Sequence, residues 1–230
     1  MLFLLALLPW PSPFSSDSCS IRTIERTSYE RAHPFNWDGI LLVYVHEAYG
    51  DRDRFHDRLA QIYSESAFNP RATSDFKGWK KAKVDTVTAI RTRMGAAGLC
   101  QFIWPTAERY GAQSIDPGQA RSRRDQSDIY NPYWSLRSMC RYMKDIERIL
   151  LATKNPKARR KLLTDRTFRE LTATASYNTG EGRIRNRLNK YGDSWTEVKM
   201  SILPEPREYA EKIQRIAGKM RETGRWKTMQ

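Results

Sequence analysis

"IYSESAFNP" occupies Ile62–Pro70, and its one acid, Glu65, decides how the chain is read. Phe55, Leu59, Ile62 and Tyr63 recur at i, i+4, i+7 and i+8. That spacing predicts a helix from about Asp53 to Ser66 with one apolar face. Asn69-Pro70 is the expected stop. Glu65 stands three residues after Ile62 and so shares the inward face. A carboxyl group among apolar neighbours resists ionisation, and its pKa rises. A general acid working near neutral pH needs that shift. A buried ion pair with an arginine is the competing reading of the position.

The same periodicity runs outward from this segment. Ile40, Leu41, Val43 and Tyr44 seed a helix ending near Gly50. Asn131-Pro132 reads as cap and first residue of another helix, with Met139, Tyr142, Met143, Ile146, Ile149 and Leu150 as its stripe. Asp165 caps a helix carrying Phe168, Leu171 and Ala175, which leads into Tyr177-Asn178 and the Gly180/Gly182 turn. A last helix buries Tyr209, Ile213, Ile216 and Met220. Val84–Arg93 fits helix and strand equally, and no strong hairpin signal is present. The expectation is a mainly α, single-domain fold without internal repeats.

Composition narrows the class. The 230 residues suffice for one sizeable core. Forty Lys and Arg against 26 Asp and Glu leave a net charge of +14, which favours a polyanionic partner. Basic runs stand at Lys77–Lys83, Arg121–Arg124 and Lys154–Lys161, each a solvated face or a polyanion contact. Cys19, Cys100 and Cys140 form no CxxC or Cys/His cluster, and His33, His46 and His56 are scattered, so neither metal nor cofactor is expected. There is no Gly-rich phosphate loop and no GxSxG elbow. MLFLLALL at the start is too short to span a bilayer and reads as the core of a signal peptide, although basic residues before it are missing. Residues 1–20 are therefore expected to be a signal peptide or disordered leader. Cys19 lacks the context of a lipidated cysteine.

Four strings in order then carry a resemblance. "ESAFNPRATS" (Glu65–Ser74), "GAAGLCQFIWPTA" (Gly95–Ala107), "ASYNTGEGRI" (Ala175–Ile184) and "LPEPREYAEKI" (Leu203–Ile213) resemble the four motifs of the Slt-type soluble lytic transglycosylases. "NPYWSLRSMCRYM" (Asn131–Met143) is similar to a further helix of that family. The likeness covers roughly Arg52 to Ala217. It implies a lysozyme-like domain over 21–230, related to goose-type lysozymes, in which Glu65 is the sole acid/base. It implies cleavage of the β-1,4 bond between N-acetylmuramic acid and N-acetylglucosamine, with a 1,6-anhydromuramyl product.

Other roles follow by position in the matched motifs. Tyr177 matches a tyrosine whose hydroxyl lies close to the catalytic glutamate. Ser74, Gln101, Asn178 and Glu205 match residues that bind the sugar or line the groove. Three departures stand out: Cys100 replaces a methionine, Pro105 is displaced by one position, and a basic insertion, Asp75–Met94, holds Trp79. Asp57 is expected on the outer face of its helix. The expected partner is peptidoglycan, with secretion, conjugation or phage machinery as further candidates and no specific nucleic acid. The expected setting is a monomer in the periplasm or cell envelope, or a phage virion component. Two alternatives stay open: a goose-type hydrolase whose water is held by Asp75 or Asp85, and a basic non-enzymatic module that binds walls or nucleic acid.

Overall fold

Four side chains start helices by accepting backbone N–H bonds. Asn131 accepts from the N–H of Tyr133 at 2.9 Å, and Asn155 accepts from that of Lys157 at 3.0 Å. Asp165 accepts from Phe168 at 2.9 Å, and Ser194 from Glu197 at 3.3 Å. Both asparagines precede a proline that occupies the first helical position, where no N–H is needed.

The computed structural model describes residues 38–50, 52–70, 72, 96–112 and 128–223. All of them belong to one unit, Pro34–Gln230. The leader 1–20, the Asp75–Met94 insertion and Val84–Arg93 lie outside the described residues. So do Ser74 and the basic runs at 77–83 and 121–124.

The elements run α1 (Asp38–Tyr49), α2 (Phe55–Ser66), β1 (Ala96–Ala97), β2 (Phe102–Ile103), α3 (Trp104–Arg109), a 3-10 turn (Asp128–Tyr130) and α4 (Pro132–Leu151). They continue with α5 (Pro156–Thr164), α6 (Arg166–Thr179), α7 (Glu181–Tyr191), α8 (Trp195–Met200) and α9 (Pro204–Thr223). The fold is mainly α, as expected. The one sheet among the described residues is an antiparallel pair, Ala96 opposite Ile103 and Ala97 opposite Phe102. The sequence reading missed it because two-residue strands are too short to show alternation.

Helix α6 packs against α9, α7, α4, α5 and α8. Its sequence suits that place: Thr172, Ala173, Thr174, Ala175 and Ser176 are all buried and small, so neighbouring helices approach closely. The hydroxyls of Thr172 and Ser176 donate back to the carbonyls of Phe168 (2.9 Å) and Thr172 (2.7 Å), which satisfies them without a distant partner. Helix α4 buries the predicted stripe except Ile149, which is half-buried, with Met139, Met143, Ile146 and Leu150 fully enclosed.

Helix α2 ends at Ser66, as predicted, and the chain leaves it because Ala67 (φ 50°) and Phe68 (φ 63°) turn left-handed ahead of the Asn-Pro pair. It departs from the prediction in not being one-sided. Asp57 through Ile62 are six consecutive buried residues, so the helix is enclosed rather than half-exposed.

Asp57, expected on the outer face, is therefore a correction. Its carboxylate accepts from Arg166 at 2.8 Å, from Arg221 at 3.1 Å and from Gln214 at 3.1 Å. Burial disfavours its charge, but Arg58 and these arginines outweigh that and hold its pKa low. Arg58, fully buried, meets Glu170 on α6 and donates to Gln61 at 3.0 Å. Arg54 reaches the other oxygen of Glu170 at 2.8 Å. These contacts lock α2 to α6 and α9.

Gly98 shows how tightly the short sheet is seated. Its φ is +77°, and a Cβ there would lie 1.8 Å from the carbonyl oxygen of Ile129. That neighbour is backbone and cannot swing aside. Gly98→Ala should lower stability by about 2 kcal/mol or more, read as a shift in urea midpoint. Gly111→Ala, with a positive φ but open space around it, should cost less.

Candidate active site

The approach of α6 and α9 to the C-terminal end of α2 builds the site. Arg58 on α2 pairs with Glu170 on α6. Seven residues on from each stand Glu65 and Tyr177, so the two helices run side by side in the same direction to this point. Helix α9 runs the opposite way: Asp57 meets Gln214 and Arg221, while Glu65 meets Tyr209.

Glu65 is half-buried, and its Oε1 accepts a hydrogen bond from the hydroxyl of Tyr209. Burial is the main cause that raises its pKa, to about 7. The Tyr209 hydrogen bond and the charge of Lys212 pull the other way without cancelling it. Because Tyr209 occupies Oε1, a proton on the acid belongs on Oε2. Among the described residues, Lys212 is the charged group that acts on Glu65, and no second carboxyl does. The Tyr209 phenol is itself pushed well above its ordinary pKa by burial and by Glu65, so it stays a donor.

The opposite wall is the turn between β1 and β2. Ser66 donates to the carbonyl of Leu99 at 2.8 Å. Gly98 N–H donates to Ala72 at 2.8 Å, and Gln101 Nε2 donates to Ala72 at 3.1 Å and to Gly98 at 2.8 Å. Ala67, Phe68 and Gln101 are the non-glycine residues with positive φ among those described. Ala67 and Phe68 follow Glu65 directly, and Gln101 lies in the turn that Ser66 bonds through Leu99. Strain of this kind, of order 1–3 kcal/mol per residue, persists where surrounding contacts over-determine the backbone.

The residues singled out in the sequence fall as follows. Glu65 and Tyr177 come together, and Gln101 stands beside Cys100, the residue Tyr177 bonds, with its side chain turned to Ala72 and Gly98. Tyr177, however, donates to the carbonyl of Cys100 at 2.6 Å; the hydroxyl bonded to Glu65 is that of Tyr209. Tyr177 still lies within reach of the Glu65 charge, which, after burial, raises its pKa. Cys100 is fully buried behind the turn, so it packs as the apolar residue expected there. Asn178 at the end of α6 and Glu205 in the first turn of α9 are exposed. Glu205 stands four residues before Tyr209 and shares its helical face. Ser74 lies outside the described residues. Tyr209 was read from sequence only as part of an apolar stripe. The signal that could have marked it is its place in the fourth motif, four residues after Glu205.

The Glu65 carboxyl should titrate with a midpoint near 7, seen by carbon-13 NMR of the side-chain carboxyl. Tyr209→Phe removes the one hydrogen bond that favours the ion, so the midpoint should move up. The raised pKa also links to stability. Folded Glu65 keeps its proton to about pH 7, whereas the unfolded carboxyl loses it near 4.5. Its contribution to stability is thus full below pH 4.5 and lost as pH rises through 7. Glu65→Gln should raise Tm relative to wild type more at pH 8 than at pH 4; equal offsets at both would contradict the desolvated acid.

Comparison with curated proteins and with solved structures returns no match. A family model described as "Transglycosylase SLT domain" matches residues 58–199, well over half of the chain. That span holds Glu65, the β1–β2 turn and the α6–α7 junction, the elements that build three sides of the site. The chain belongs to the transglycosylase SLT domain family, whose enzymes act on peptidoglycan.

Proposed function

We propose that this protein is a peptidoglycan lytic transglycosylase that cleaves the bond between N-acetylmuramic acid and N-acetylglucosamine, with Glu65 as its single acid and base. The observation that carries this reading is a desolvated carboxyl with a pKa near 7 and no second carboxyl acting on it among the described residues. Inverting and retaining hydrolases use a pair of carboxylates to handle water or a covalent intermediate. A lone carboxyl suits a reaction whose nucleophile belongs to the substrate.

The steps are as follows. Glu65 Oε2–H protonates the glycosidic oxygen, and the C1–O bond breaks with oxocarbenium character at C1. The N-acetyl group of the same sugar assists. The C6 hydroxyl then attacks C1, forming the C1–O6 bond, and Glu65 takes its proton. Glu65 ends protonated, ready for the next turnover, and no water is consumed. An intramolecular nucleophile has a large effective concentration once the ring is distorted toward it. Tyr209 holds Oε1, so the other oxygen faces the substrate. Tyr177 supports the turn that bears Gln101. Gln101, Asn178, Glu205 and Ser74 are assigned to the glycan. The setting that fits is the periplasm or cell envelope, or a phage virion, with the protein acting as a monomer on glycan strands.

Glu65→Gln should remove turnover of purified cell walls while the fold is retained, since general acid catalysis contributes ~10²–10⁴-fold. The wild-type rate should fall above pH 7 as the acid ionises. Digested glycan should end in 1,6-anhydromuramic acid, lighter by one water than the hydrolytic product and resistant to borohydride. Fragments that take up borohydride would overturn the lyase reading and favour a hydrolase using Asp75 or Asp85.

A further inference from the structure

Gln61 is fully buried on α2, and no step of the reaction uses it. It stands three residues after Arg58 and four before Glu65, so all three share one helical face.

Its amide is held at both ends. Arg58 Nη1 donates to Gln61 Oε1 at 3.0 Å. A guanidinium offers only donors, so the amide oxygen faces Arg58 and the amide nitrogen faces the other way. That nitrogen carries two hydrogens. One meets the sulfur of Met143 on α4 at 3.7 Å. The Gln61 side chain also donates to the Tyr209 hydroxyl, a bond that favours the phenolate. Tyr209 in turn donates to Glu65 Oε1. Donation therefore runs one way, from the Arg58 cation through Gln61 and Tyr209 to the acid. Hydrogen bonds in series polarise one another, most strongly where the dielectric is low. Arg58 and Gln61 have no exposed surface, so water does not enter to turn the series round. Glu170 on α6 anchors Arg58, which keeps the head of the series in place.

A phenol hydroxyl can donate or accept. Facing a protonated Glu65, it could accept from Oε1–H, and the proton would then point away from the glycan. With the Gln61 amide already donating to the phenol oxygen, the phenol hydrogen is directed at Glu65. A proton on Oε1 would face another hydrogen, so it settles on Oε2. A glutamate of the same length would satisfy Arg58 equally well, but it would offer Tyr209 an acceptor. The amide is what makes the direction unique.

We propose that Gln61 is a positioning residue for the acid: it makes the Tyr209 hydroxyl a donor to Glu65 and so keeps the proton of the acid on Oε2. The proposal rests on the reading of Glu65 as the acid and base. The titratable and charged groups that act on Glu65 are Tyr209 and Lys212 on α9, Tyr177 on α6 and Cys100 in the β1–β2 turn, with Arg58 acting on Tyr209. A neutral substitution of Gln61 leaves all of these in place.

The test uses the full chain with Gln61→Met, which keeps size and charge. The Glu65 midpoint, followed by carbon-13 NMR, should rise by about half a unit to one unit, the worth of one hydrogen bond. On purified glycan below pH 7, kcat should fall about three- to tenfold with KM unchanged, because the proton spends time on the wrong oxygen. In a Tyr209→Phe background the same substitution should move the midpoint no further. A wild-type midpoint in Gln61→Met, or a shift that persists undiminished without the Tyr209 hydroxyl, would overturn the proposal. Gln61→Glu serves where Gln61→Met fails to fold, since it keeps the partner of Arg58. It should raise the midpoint more, because Tyr209 turns to the new carboxylate, and that rise should shrink in the Tyr209→Phe background. A rise that stays the same there would also overturn the proposal. If wild type cleaves no glycan, the reading of Glu65 as catalyst fails, while the midpoints still decide what Gln61 does.

Discussion

A fully buried guanidinium holds this structure in register. Arg58 has no access to water, and removing such a charge from solvent costs several kcal/mol unless partners surround it. Glu170 on α6 and Gln61 on α2 are those partners, and Arg54 and Asp57 extend the network to the start of α6 and to α9. A shift of α2 by one residue would strand these charges, so one arrangement of the three helices is far better than its neighbours. The consequence appears two turns away. Seven residues, roughly 10 Å of helix, separate Arg58 from Glu65 and Glu170 from Tyr177. The ion network that sets the register of α2 and α6 therefore also sets which side chains meet at the site.

The two halves of α2 treat carboxyl groups in opposite ways. Asp57 is buried but ringed by arginines, so its charge is kept. Glu65 is desolvated with only a phenol and a distant lysine to favour the ion, so it keeps its proton to about pH 7. The difference lies in the neighbours more than in depth of burial. Around Glu65 the backbone also breaks local preference, with left-handed Ala67, Phe68 and Gln101. A neutralised acid and strained turns are both costs to stability, concentrated where chemistry is proposed, and the charge network and the small-residue core of α6 offset them.

The site is assembled across a long stretch of chain. Glu65 and Tyr209 are 144 residues apart, and the family match ends at residue 199, before α9 begins. The matched span therefore holds the acid, the turn and the α6 wall, while α9, which carries the fourth motif, supplies the hydroxyl that orients the acid. Helix α9 packs against both α2 and α6, so its place is fixed by the core and the contact with Glu65 follows from it.

The sequence by itself determined what depends on near neighbours. Asn131 and Asp165 start helices through bonds to residues two or three positions on, and both were readable as caps. The stripe of α4, the mainly α class and the inward position of Glu65 follow from a 3.6-residue period. The four ordered motifs named the family. What the sequence left undecided depends on partners far along the chain. Asp57 looked like a surface acid because nothing local reveals Arg166, Gln214 and Arg221 waiting across the core. The end of α2 at Ser66 was readable, but the left-handed turn at Ala67 and Phe68 was not, since it is held by Leu99 and Ala72 contacts that no local rule contains. Tyr209 read as one more apolar position, because periodicity reports that a side chain faces inward but not what its hydroxyl meets there. Only the packing of α9 against α2 decided that it meets Glu65, and only that enclosure removes enough water to hold the carboxyl neutral.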